Sequence, residues 1–70
     1  MNFNDKVTRS VIQVKETNEF FGALMLFSEF IKSETVPTAA TDGRKVYINE
    51  NFFNSLNASE QNGLLLHEVL

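Results

Sequence analysis

Apolar residues at the start of the chain recur at helical intervals. Phe3, Val7, Val11 and Val14 form a stripe with Ile12 beside it, while Lys6, Arg9, Lys15 and Glu16 fall largely outside it. The spacing predicts a helix over residues 3 to 18, with Asn2 or Asn4 available as its cap. Three β-branched valines lower its intrinsic helicity, so packing has to hold it. The next run, Phe20 to Ile31, is ambiguous. Positions 20, 24, 27 and 31 share a helical face, yet the unbroken apolar character of the first half also suits a strand covered on both sides. Leu24, Leu26, Ser28 and Phe30 alternate with Met25, Phe27, Glu29 and Ile31, and the run is read as a strand.

Local signals are sharper downstream. Val36-Pro37 demands extended backbone, and Pro37 cannot donate to a ladder, which puts its segment on an edge or in a connection. Asp42-Gly43 marks a turn before Lys45-Val46-Tyr47-Ile48, a β-rich run. Asn49 can cap a short helix carrying Phe52, Phe53 and Leu56. Asn57-Ala58-Ser59-Glu60 then sets a cap residue three before a glutamate, the capping-box arrangement, ahead of a last helix through Leu64, Leu65 and Leu66. The order is helix, strand, strand, short helix, helix. That is an α+β domain with a small sheet of two to three strands, and no repeat or linker divides residues 1 to 70.

Size sharpens the picture. A chain of 70 residues buries only about 60% of the surface its unfolded form exposes, so its core is thin. Without cysteine, disulfides and thiolate metal sites are closed to it, which leaves a metal or a partner as the source of extra stability. The polar start has no secretory h-region, and the apolar stretch from Phe20 to Phe27 is far short of the roughly 20 residues that cross a bilayer. The cytoplasm is the expected location, and no membrane partner is expected. Net charge is −3, with no Lys or Arg from 50 to 70, so nucleic acid is not an expected partner either.

The candidate chemistry lies at the end of the last helix, in GLLLHEVL. His67 followed by Glu68 begins the zinc signature H-E-x-x-H, in which histidines four apart grip one metal from consecutive turns and the glutamate takes a proton from the metal-bound water. Its second histidine would occupy position 71, one beyond Leu70. The dipeptide alone is a weak signal, because a lone histidine beside leucines is usually an ordinary helix residue.

Three stretches add context: EFFGALML at 19 to 26, VPTAATDGRKVYINENFFNSL at 36 to 56, and LLLHEVL at 64 to 70. Together they resemble the metallopeptidase domain family that in bacterial and phage proteins often precedes a von Willebrand factor A-like domain. The most specific match is Thr41-Asp42-Gly43-Arg44, at the family's distance ahead of His67. The resemblance covers roughly residues 15 to 70 and corresponds to the first part of the family's domain. It implies a zincin-like fold with a small sheet packed on the motif helix, zinc as cofactor in the complete domain, His67 as metal ligand and Glu68 as catalytic base. With the second histidine and any third ligand missing, these residues alone are expected to be inactive and not to hold zinc.

Other residues have structural readings first. Gly43 supplies a positive φ to a turn, and Arg44 starts a strand, although it could meet a substrate carboxylate. Tyr47 suits cross-strand packing, although it could stabilise an oxyanion. Phe20, Phe21, Phe27, Phe30 and Phe52, with Phe53 nearby, are expected in the core. If their cover is absent, they would form an apolar surface for a peptide or protein partner or for a second copy of the chain. The alternative function is therefore a non-catalytic binding module, for instance a short phage-encoded protein.

Overall fold

A computed structural model describes residues 1 to 70 as four helices and a three-stranded sheet. Helix α1 spans Phe3–Thr17 and is capped by Asn2, whose side chain accepts from the Asp5 N–H at 2.8 Å. It buries Phe3, Ser10, Val11 and Val14, close to the stripe its spacing predicts.

The expected strand from Phe20 is instead helix α2, Glu19–Leu26, followed by a tight turn into β1, Glu29–Ser33. Asn18 decides this. Its backbone is extended, its N–H closes α1 on the Val14 carbonyl, and its side chain accepts from the Phe21 N–H at 3.0 Å to open α2. Gly22 then seats α2 directly on α1, since a Cβ there would lie 2.6 Å from the Lys15 Cβ and 2.7 Å from its Cα. Only Gly22 and Met25 of α2 are buried, one turn apart. The run is apolar because one face packs on α1 and the rest lies open, with Phe20 at 66%, Leu26 at 63% and Phe27 at 90% exposed. Phe20 and Phe27 are thus surface residues, and Phe21, Phe30 and Phe52 are half-buried. The buried aromatics are Phe3 and Phe53, which meet edge to face at 5.5 Å.

The sheet order is β1-β3-β2, with β3 spanning Lys45–Asn49 and β2 Ala39–Thr41. β1 runs parallel to β3, with Phe30 opposite Val46 and Lys32 opposite Ile48. β2 runs antiparallel on the other side, with Ala40 opposite Tyr47. Val46 and Ile48 are buried toward the helices, while Ile31, Tyr47 and Ala40 stand side by side on the opposite face. The helices thus cover one face of the sheet, whereas the apolar run had suggested a strand covered on two.

Asn49 fastens the strand crossing. Its N–H donates to the Thr38 carbonyl at 2.8 Å, its side-chain amide donates to the Val36 carbonyl at 3.1 Å, and its side-chain oxygen caps α3, Glu50–Ser55. Helix α4, Ala58–Val69, opens with the predicted capping box, in which Asn57 and Glu60 exchange bonds of 2.9 Å. Gln61 is buried on its inner face and donates to the Phe53 carbonyl at 2.8 Å and the Leu56 carbonyl at 3.3 Å, while Arg9 of α1 donates to its oxygen.

The two helical glycines respond oppositely to alanine. At Gly63 nothing lies within 4 Å of the added Cβ, so Gly63→Ala is expected to stabilise by about 0.5–1 kcal/mol through helix propensity. At Gly22 the same gain is outweighed by overpacking against α1 backbone, for a net loss of about 1–2 kcal/mol. Urea unfolding of both variants checks the signs, and equal stabilities would contradict the close approach of α1 and α2.

Candidate functional site

The last turns of α4 rest against one end of the sheet. The capping box fixes where the helix begins, Leu65 is fully buried beneath it, and the chain ends its helical path at Val69. Successive residues on a helix are rotated by about 100°. With Gln61 and Leu65 facing inward, Glu68 completes the inner stripe at its rim, and His67 turns away from it. Accordingly Glu68 is half-buried and His67 exposed.

Glu68 lines a cleft of about 320 Å³ whose other walls carry Ser28, Thr41, Arg44, Val46 and Leu70. The cleft lies where β1 and β3 begin and β2 ends. His67 is not among its lining residues, so the two neighbours in sequence do not share this hollow. No three His, Asp or Glu side chains gather where they could hold a metal ion. With one imidazole, no thiolate and no carboxylates gathered beside it, these 70 residues do not by themselves supply the three protein ligands that a catalytic zinc takes.

The wall opposite Glu68 is a tightly bonded turn. Gly43 has φ +92°, a conformation that glycine adopts without strain. The Asp42 side-chain oxygen Oδ1 accepts from the Arg44 N–H at 2.9 Å and the Lys45 N–H at 2.8 Å, while Tyr47 donates its hydroxyl proton to Oδ2 at 3.3 Å. Thr41 accepts from the Gly43 N–H at 3.1 Å and donates to the Lys45 carbonyl at 3.1 Å. The backbone N–H groups of Lys45 and then Arg44, with a smaller share from Tyr47, hold the Asp42 carboxyl below its ordinary value of 3.8. Tyr47 stands on the helix-free face of the sheet with its hydroxyl on Asp42, outside the cleft lining. Sequence reasoning singled out Arg44 and Glu68 as candidates and named Thr41 only within the Thr41-Asp42-Gly43-Arg44 match, without a role; nothing local marked Ser28.

An α+β domain that packs a capped helix ending in His-Glu against a small sheet defines a class of scaffold. The sequence profile of a family described as "Putative metallopeptidase domain" matches residues 2–70, and the chain belongs to that family. No curated protein and no solved structure matches it. No helix is long and apolar enough to cross a membrane.

The turn sets a pH dependence. Because the folded carboxyl titrates below the unfolded one, Asp42 contributes stability that is present in full above about pH 3.8 and is lost as pH falls through its lower folded value. Carboxyl-carbon NMR is expected to place its midpoint below 3.8, and Tyr47→Phe to raise it slightly. A midpoint at or above 3.8 would disprove the clasp.

Proposed function

We propose that these residues form the N-terminal portion of a zinc-dependent, metallopeptidase-like domain. In this reading His67 supplies the first metal ligand and Glu68 the general base for peptide-bond hydrolysis. The observation that carries the reading is the pairing of family membership over residues 2–70 with a capped terminal helix whose Glu68 faces a cleft beside the sheet. His67 is directed off the inner stripe and open to solvent. That leaves its imidazole accessible to further ligands contributed from outside these residues. A second ligand at position 71, one turn on, would fall on the same side of the helix as His67. The chain alone is accordingly proposed to be inactive.

An extended edge lies close by. β2 is an outer strand, so one side of its backbone can pair with an extended peptide, and its last residue, Thr41, lines the same cleft as Glu68. A peptide laid along β2 would run into the hollow that holds the proposed base.

The protein extended by whatever follows in its gene is expected to bind one zinc per chain and to lose it in His67→Ala. Glu68→Gln is expected to keep the metal while losing hydrolysis by about 10²–10⁴-fold. Metal analysis beside peptide cleavage reads both, and zinc retained without His67, or a gene that stops at Leu70, would overturn the assignment.

The exposed Ile12, Phe20, Leu26 and Phe27 favour a second reading, a non-catalytic module that binds a protein through exposed apolar residues. On that reading the chain self-associates or captures a partner. A sedimentation profile that stays monomeric at every concentration, and is unchanged by Phe27→Ser, would count against association with itself.

A further inference from the structure

We propose that Arg44 is the specificity-determining residue of the Glu68 cleft and that the ligand it selects is a peptide carrying a carboxylate. The proposal rests on the peptidase reading for its ligand class and adds to it which peptides enter.

Arg44 and Glu68 line the same hollow of about 320 Å³ from two different elements, the β2–β3 turn and the end of α4. Neither side chain takes part in a hydrogen bond or ion pair within the chain, and they do not pair with each other. The other long cations near the sheet are engaged, Lys45 with Glu29 at 3.9 Å and Lys32 with Glu50 at 3.8 Å. The cleft's hydroxyls are committed too, since Thr41 donates to the Lys45 carbonyl and Ser28 to the Leu24 carbonyl. The unspent polar groups that side chains present to this hollow are therefore a guanidinium on one wall and a carboxylate on the other.

The backbone under Arg44 is held in place. Its own N–H is bonded to Asp42, the preceding glycine holds φ +92°, and the following residue begins β3. A fixed backbone reduces the ordering that binding would require. A guanidinium offers paired N–H donors that match the two oxygens of a carboxylate. Glu68, on the opposite wall, repels that carboxylate from its own side, which orients the peptide with its negative group toward the turn. The recognised group can be an aspartate or glutamate side chain or a free C-terminus.

Titration of the isotope-labelled chain separates these sources. Three short peptides of the same apolar backbone serve as probes: one with a glutamate side chain and an amidated end, one with glutamine and a free C-terminal carboxylate, and one with glutamine and an amidated end. At least one carboxylate peptide is expected to bind about tenfold more tightly than the neutral one, shifting the amide signals of Gly43, Arg44 and Glu68. In Arg44→Gln the difference is expected to vanish, while Arg44→Lys keeps part of it. Arg44 is exposed and its side chain bonds to nothing in the fold, so the unfolding midpoints of these variants are expected to match the parent. Equal binding of all three peptides, selectivity that survives Arg44→Gln, or no binding by any probe would overturn the proposal. The titration contains no metal. Carboxylate selectivity found in a protein that never binds zinc would sink the peptidase reading alone, and zinc-dependent hydrolysis without that selectivity would sink only the role given to Arg44.

Discussion

A single buried amide, that of Gln61, holds together the parts on which the cleft depends. Its nitrogen donates to two carbonyls at the end of α3, and its oxygen receives Arg9 from α1. One side chain thus satisfies the exit of one helix, joins the first helix to the last, and sets the rotation of α4 about its axis. That rotation is what turns Glu68 to the sheet and His67 to solvent. A buried donor left without its acceptors costs about 1–3 kcal/mol, a large fraction of what so small a core can supply. The polar contact is therefore as much a determinant of the site as the leucines around it.

Capping signals were legible in the sequence because each is local. Asn2, Asn49 and Asn57 each announce a helix start by a side-chain oxygen that serves a backbone N–H within the same turn, and all three do so in the fold. The Asp42-Gly43 turn was legible for the same reason. The stretch from Phe20 to Ile31 was not. Its apolar residues permit either period, and the choice rests on Asn18 acting as the end of one helix and the start of the next, together with the close seat of Gly22 on Lys15. Both are relations between elements, which composition does not carry. The misplacement of Phe20 and Phe27 in the core follows from the same cause, since a strand would have buried faces that a two-turn helix leaves open.

For the candidate site, the helix and its His-Glu pair could be read from spacing and from family likeness, and α4 places them on its final turns. The walls around them could not. Which neighbour faces the sheet depends on the inward direction fixed by Gln61 and Leu65, and Arg44 reaches the same hollow only because β3 pairs beside β2 with Thr41 opposite Val46. Residues 24 or more positions apart in the chain become facing walls through register, a property that the order of amino acids does not display on its surface.

Asn49 binds three kinds of structure at once: the connection at Val36 and Thr38, the last residue of β3, and the first turn of α3. The connection has no ladder or helix of its own, yet it is not an independent tether. Loosening it frees the start of α3 and therefore Phe53, the ring that closes on Phe3. The contacts thus run from the irregular segment at Val36 through Asn49 and Phe53 to Phe3, more than thirty residues earlier in the chain, and an opening at this corner would be expected to loosen the first turn of the N-terminal helix as well.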